Sequence, residues 1–406
     1  MGKVKMEKLK AQTMAKEALS LVSELIEKFG SRLTGSKGAK ETANHLADEL
    51  SLYCPRVEKV SFNLHPKAFL GWIRIVVATY IGALLFLWLS LPIISFIALC
   101  GALAVMVFEF FLYKELIDPL YKKVEGINVY GVMEPEDEVL QTVVYSGHHD
   151  SAPIFNLFEK DSHLYFFKIS TALGSFLTLI VFSFIKLFNP KVNILFTLIF
   201  TLASYFVLKL WNFASDEGTP GAGDNLIAST MGIQIARYFK ESETPLKHTR
   251  LVVASFDAEE AGLRGARHFY QTNKDDESIF KGKVYNFNVD CPYEAKELFF
   301  LTSDINGSVK LSQQMATSAV EIAKSMGYEA YSQPIAFLTG GTDAAEAAKV
   351  GFEATSLMGM KWDNKERSSV YHTSKDLPEA IEAEAVKRSI SIAIKFIQQL
   401  DDKTGS

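Results

Sequence analysis

The 406 residues predict an α/β fold: a mixed, mostly parallel central sheet flanked by helices, with two transmembrane helical hairpins inserted into it. Three observations predict it. Two long blocks lack charge. Each block is broken once by a turn. When both are set aside, the remaining chain alternates between helix-like and strand-like periodicity. Apolar residues make up 48% and charged residues 22%, so disorder is excluded and core material is ample.

The first block is uncharged from Ile75 to Phe108, with Pro92 near its middle. Each side of the proline is about 17 residues, or roughly 25 Å as helix. The flanking Phe69, Leu70, Trp72, Phe110, Phe111 and Leu112 extend both sides towards the ~30 Å of a bilayer core. The second block repeats the design. Ile169–Ile185 is uncharged, Lys186–Lys191 reads as a turn, and Val192–Leu208 is uncharged again. Four charge-free runs in pairs are hard to place inside a water-soluble core, so four spanning helices are expected. All four outer ends then lie on one side. They carry Lys67, Arg74, Lys114, Lys122, Lys123, Lys160, Lys168 and Lys209, against only Lys186 and Lys191 at the tips. Positive residues stay cytoplasmic, which places the rest of the protein on the cytoplasmic side. Three widely spaced cysteines, Cys54, Cys100 and Cys291, agree with a reducing compartment. A net charge of −5 gives no basic stripe for nucleic acid.

The soluble residues read as one domain interrupted twice: 1–66, 114–163 and 212–406, with the hairpins at 67–113 and 164–211. In order, the pattern predicts helices at 14–29 and 37–52 and strands at 57–63, 126–132 and 142–146. Beyond the second hairpin it predicts a helix at 225–239, a strand at 250–256 and a helix running to about Tyr270. Strands at 284–289 and 298–302, a helix at 309–326, a strand at 351–357 and a last helix at 378–400 follow.

In open α/β sheets, ligands gather at the carboxyl ends of strands. There the sequence places imidazoles and carboxylates. Thr142–Gly147 ends in His148-His149-Asp150, and Leu251–Phe256 ends in Asp257-Ala258-Glu259-Glu260. Val284–Val289 ends in Asp290. A glycine-rich turn, Gly221-Ala-Gly-Asp224-Asn225, opens a helix, and Tyr371-His372 through Asp376 precedes the last one. Singly, each piece reads as a capped turn or a helix-dipole complement. The set of five is what points to a metal centre. Carboxylates with imidazoles suit Zn²⁺. Two histidines and three carboxylates exceed one catalytic zinc but suit two ions sharing a carboxylate. Such a pair can hold a hydroxide and polarise a carbonyl. Adjacent Glu259 and Glu260 diverge, so one can ligate while the other serves as general base.

The ordered string His-x-Asp, Asp-Asn, Glu-Glu, strand-terminal Asp and Tyr-His-Thr resembles the co-catalytic di-zinc aminopeptidases, whose relatives include glutamate carboxypeptidase and glutaminyl cyclase. Ser31-Arg-Leu-Thr-Gly-Ser36 matches that family's N-terminal segment. The resemblance implies a zinc-peptidase fold with two Zn²⁺ ions per chain. His148 and Asp290 would hold one ion, Glu260 and His372 the other, and Asp224 would bridge them. Glu259 would be the general base, Asp150 the hydrogen-bond partner of His148, and Tyr371 a donor to the oxyanion. Asp343, in Gly-Gly-Thr-Asp, matches an acid near the family's pocket. Two departures stand out. The interval from His148 to Asp224 is 76 residues because the second hairpin fills it, and Gly223 stands where the family carries an acid.

The function expected is a membrane-anchored zinc aminopeptidase. Its partners are the lipid bilayer and a peptide with a free N-terminus, and its catalytic domain lies near the membrane surface. Three same-fold alternatives stay open: a glutaminyl-cyclase-like acyltransferase, a dipeptidase or carboxypeptidase, and a non-catalytic scaffold. An intramembrane aspartyl protease is disfavoured. Asp224 follows Leu208 by 16 residues, in a polar stretch with Asp216 and Glu217.

Overall fold

The computed structural model describes residues 2–189, 194–243, 245–361 and 370–404. Part of the turn expected at 186–191 and the start of the following apolar run, namely Pro190, Lys191, Val192 and Asn193, lie outside the described residues. The chain divides into two compact units. One comprises Met1–Leu64, Lys123–Pro153 and Glu217–Ser406, the other His65–Lys122 and Ile154–Asp216.

The first unit is built on a nine-stranded mixed sheet. Its strands are β1 (Arg56–Leu64), β2 (Val124–Met133), β3 (Gln141–His148), β4 (Thr249–Phe256), β5 (Lys283–Val289), β6 (Leu298–Asp304), β7 (Val309–Lys310), β8 (Tyr331–Pro334) and β9 (Glu353–Gly359). They run in the order β1-β2-β4-β3-β5-β9-β6-β8, with β7 paired to β6. The four middle strands, β4, β3, β5 and β9, are parallel. Their residues are almost wholly buried, as strands covered on both faces must be. Helices α1 (Gly2–Phe29), α2 (Lys37–Ser51), α3 (Ile227–Lys240), α4 (Arg264–Asn273), α5 (Gln313–Ser325), α6 (Ala344–Lys349) and α7 (Ala383–Thr404) surround it.

Register decides where the polar residues emerge. His148 pairs with Phe256 and Ser146 with Asn288, so His148, the Asp257–Glu260 turn and Asp290 share one end of the sheet. Alternation then separates the faces. Tyr145 and Gly147 face α3, where Gly147 lies so close that an added Cβ would come within 2.5 Å of the Ala228 methyl. Ser146 and His148 point the other way.

Most sequence expectations are met within a few residues, and the departures have local causes. The helix expected at 309 begins at Gln313, because Ser312 caps it by accepting from the Met315 N–H at 3.2 Å and Val309–Lys310 pairs with β6. Glu259 and Glu260 do not open a helix. Residues 257–263 form a turn in which Ala258 and Leu263 take positive φ, and α4 starts at Arg264. Pro378 opens a single 3₁₀ turn ahead of α7. Strand β8 and helix α6 are too short for periodicity to reveal.

The second unit holds four apolar helices long enough to cross a bilayer: Gly71–Trp88, Pro92–Phe111, Ser162–Phe188 and Ile194–Asn212. They expose large apolar side chains, among them Leu85, Ile97, Phe188 and Leu202. Such a surface suits lipid and would be a liability in water. Some of the polar groups inside are paired, while the Ser183 and Thr197 hydroxyls are buried without a hydrogen-bond partner among the described residues. The buried Tyr80 hydroxyl lies 2.7 Å from Ser175 Oγ and donates to the Phe200 carbonyl at 2.9 Å, while Ser95 donates to the Ala83 carbonyl at 2.8 Å. Trp88 Nε1 reaches Thr201 Oγ1 at 3.2 Å.

Candidate metal centre

The five stretches singled out in the sequence converge. His148 ends β3 and is 1% exposed. Its Nε2 lies 3.4 Å from Asp224 Oδ1, 3.8 Å from Glu259 Oε2 and 3.9 Å from Asp290 Oδ1. His372 Nε2 lies 3.1 Å from Asp224 Oδ2 and 3.3 Å from Glu260 Oε1. Three groups therefore bring their ligand atoms within 4.8 Å of one another: His148–Asp224–Asp290, Asp224–Glu260–His372, and His148–Glu259–Glu260. Asp224 belongs to the first two groups, one oxygen toward each histidine.

Hydrogen bonds hold the turns that carry several of these candidate ligands. The turn Ala222–Leu226 presents Asp224, and the Asp224–Asn225 peptide is cis. Asp376 accepts from the N–H groups of Gly223 at 2.8 Å and Asp224 at 3.1 Å. Asn225 Nδ2 donates to the Val289 carbonyl at 2.8 Å, tying that turn to the strand that delivers Asp290. Asp150 does more than the partnership with His148 expected of it. Its Oδ1 lies 3.3 Å from His148 Nδ1, and its two oxygens also accept from the N–H groups of Glu259 and Glu260, both at 3.1 Å. The carboxylate thus fixes the turn from which both glutamates project. Tyr371 stacks on the His372 ring, centroids 3.9 Å apart. Asp343 is fully buried, and neither of its oxygens has a hydrogen-bond partner among the described residues.

Sequence reading gave no role to Asp376 or to Arg32. Asp376 lies within the Tyr371–Asp376 run, four residues past the candidate ligand His372, and that proximity is the available signal.

Burial dominates the electrostatics. It pushes Glu259 well above the ordinary carboxylate range, helped by Glu260, Asp290 and Asp343. It likewise pushes Glu260 up to about 7 and Asp290 up to about 6. Burial opposes charge on the histidines, yet the surrounding carboxylates win. Glu259, Asp150 and Asp224 hold His148 well above its usual range, and Glu260 and Asp224 raise His372 to about 9. Among the described residues, every ion pair of Asp224, Glu259, Glu260 and Asp290 is to one of these two histidines.

The residues fit a zinc centre. The donors are imidazole nitrogens and carboxylate oxygens in groups of three, the number of protein ligands that catalytic zinc sites use. His148 Nε2, Asp224 Oδ2 and Glu260 Oε1 are buried yet make no well-formed hydrogen bond among the described residues. Such clustering of acids around two imidazoles is what a divalent cation would relieve.

Comparison with known proteins follows the same direction. The model of Peptidase family M28 matches residues 200–397, which supports the family that the motif string resembles. No curated protein matches the chain. The zinc aminopeptidase BSAP from Bacillus subtilis superposes with a TM-score of 0.59 at 16% identity, covering 95% of this chain and 95% of that one. A Zn-dependent exopeptidase from Parabacteroides distasonis gives 0.55 at 15% identity, covering 94% and 97%. A glutaminyl cyclase from Fimbriiglobus ruber gives 0.56 at 10% identity, covering 95% and 94%. The mixed sheet with flanking helices is thus the zinc-peptidase fold.

The buried acids make the metal-free chain pH-sensitive. Asp257, Glu260, Asp304 and Asp376 are pushed up to about 7, and Asp290 to about 6, chiefly by burial. Unfolded carboxyls titrate near ~4. The folded state therefore holds these protons more tightly. The stability they contribute is full below about 4 and is lost as pH rises through about 6–7. His149, lowered to about 3 by burial, works oppositely, but its contribution is nearly complete above ~6.5. Chelated protein is expected to melt at a lower temperature at pH 8 than at pH 6, with added zinc raising the midpoint more at pH 8. Thermal melts of chelated and zinc-loaded protein check this; equal or greater metal-free stability at pH 8 contradicts it.

Proposed function

We propose that this protein is a membrane-anchored, zinc-dependent aminopeptidase. The observation that carries the reading is the sharing of Asp224 between two ligand groups, one with His148 and Asp290 and one with Glu260 and His372. That arrangement supports two ions with a common carboxylate. Bound zinc supplies Lewis acidity toward a peptide carbonyl and lowers the pKa of water.

The remaining roles fall to the chain. Glu259 shares its turn with a ligand but lies in neither Asp224-containing group, so its carboxylate is free to take a proton from the attacking water and return it to the departing amine. Its burial, at 8% exposure, favours the protonated form and so a base that gives its proton back. Asp150 keeps His148 and the glutamate turn in place. Tyr371, stacked on His372, is the candidate donor to the developing oxyanion. The substrate is a peptide with a free N-terminus. A second reading, glutaminyl cyclisation on the same fold, is favoured by the glutaminyl cyclase neighbour.

The four apolar helices support anchoring in a bilayer, and the lysines at their outer ends support a catalytic unit on the cytoplasmic side.

Two tests follow. On free and N-blocked aminoacyl substrates, wild-type protein is expected to cleave only the free ones. It should lose activity to a chelator and regain it with Zn²⁺ or Co²⁺. Glu259→Gln should lower turnover by at least about 10²-fold with zinc still bound. Formation of pyroglutamate from an N-terminal glutamine, without hydrolysis, would favour the cyclase; full activity of Glu259→Gln would remove its role. For sidedness, a cysteine replacing Asn189 should be labelled by a membrane-impermeant reagent only from outside intact cells. Labelling solely after permeabilisation would reverse the topology.

A further inference from the structure

Arg32 is fully buried, and it pairs with no carboxylate among the described residues. Its side chain donates instead to four backbone carbonyls. Nε reaches His149 at 2.7 Å, Nη1 reaches Gly30 at 3.1 Å and Pro220 at 2.7 Å, and Nη2 reaches Gly221 at 2.7 Å. Its backbone is held as firmly, since its N–H donates to Ser151 Oγ at 2.8 Å and its carbonyl accepts from the Ser151 N–H at 3.2 Å.

Those carbonyls are not arbitrary. His149 sits between His148 and Asp150. Pro220 and Gly221 open the turn that carries Asp224. The two segments are separated in the chain by the whole excursion Ile154–Asp216, so nothing covalent nearby fixes their spacing. Gly221 takes φ +60°, and a Cβ there would come within 2.7 Å of Arg32 Nη2. The guanidinium therefore occupies the space that glycine leaves open. A planar fork of fixed donors can bind four carbonyls at once, which a lysine ammonium cannot. Its charge also lies close enough to Asp376, Asp150 and Asp224 to offset part of their repulsion.

We propose that Arg32 is a positioning residue of the metal centre, clamping the turn that carries Asp224 onto the turn that carries His148 so that the two ligands keep their spacing across the inserted segment. This rests on the zinc reading given above. Removing the clamp should weaken the metal site specifically, beyond any loss of stability, because outer partners of ligands govern metal affinity.

The test is zinc titration of the full chain in detergent against a competing chelator, alongside circular dichroism. Wild type, Arg32→Met, Arg32→Lys and Arg250→Met are compared. Arg250 is also buried, but its Nε donates to Glu134 and its Nη1 to the Glu277 carbonyl, away from the metal ligands. Folded Arg32→Met is expected to bind zinc about 10–100-fold more weakly than wild type. Arg32→Lys should fall short of wild type as well, since it restores charge but not the fork. Arg250→Met should lose stability while keeping wild-type zinc affinity. Wild-type affinity in either Arg32 variant overturns the proposal. So does an equal loss of zinc in Arg250→Met, which would show a general effect of destabilisation, or failure of both Arg32 variants to fold even with zinc. If wild-type protein itself binds no zinc, the metal reading falls first and this inference with it.

Discussion

The structure depends on one electrostatic constraint. Four carboxylates, Asp224, Glu259, Glu260 and Asp290, are gathered around two imidazoles, and no lysine or arginine among the described residues pairs with any of them. Removing charge from water costs several kcal/mol per ion unless it is compensated. Burial accordingly pushes Glu259, Glu260 and Asp290 toward their protonated forms and leaves only the two imidazoles as ion-pair partners among the described residues, an arrangement that a bound cation would suit. The rigid surroundings follow from the same need: three acids and an arginine, Asp150, Asp376, Asp257 and Arg32, are spent on backbone groups that fix the ligand-bearing turns.

The sheet makes the convergence geometrically simple. Parallel strands β4, β3 and β5 end level with one another, so side chains leaving them meet without long loops. The two remaining ligands arrive on turns preceding helices α3 and α7. Insertion of two apolar hairpins leaves this frame intact because both excursions leave and re-enter the sheet-bearing unit between its elements.

Much of this was legible in the sequence, and the reasons are physical. Buried parallel strands read as unbroken apolar runs, so β3, β4 and β5 could be placed to within two residues, and their carboxyl ends named His148, Glu259 and Asp290 directly. The apolar helices were equally plain, since a bilayer demands length and lack of charge. What escaped were features decided by distant contact. Arg32 lies in the Ser31–Ser36 stretch that matches the resembled family's N-terminal segment, but nothing local there shows what its guanidinium binds; that appears only when Gly30, His149, Pro220 and Gly221 meet. The turn at 257–263 imitates a helix start because adjacent glutamates favour both. Short elements such as β8 and α6 lack the length over which periodicity can be read.

The central claim is that two cations share Asp224. The most direct measurement is an anomalous difference map at the zinc edge from crystals of the full chain. Two peaks about 3.5–4 Å apart are predicted, one beside His148 and Asp290 and one beside Glu260 and His372, with Asp224 between them. A map without a peak within bonding distance of these side chains, from crystals shown by fluorescence to contain zinc, would contradict it.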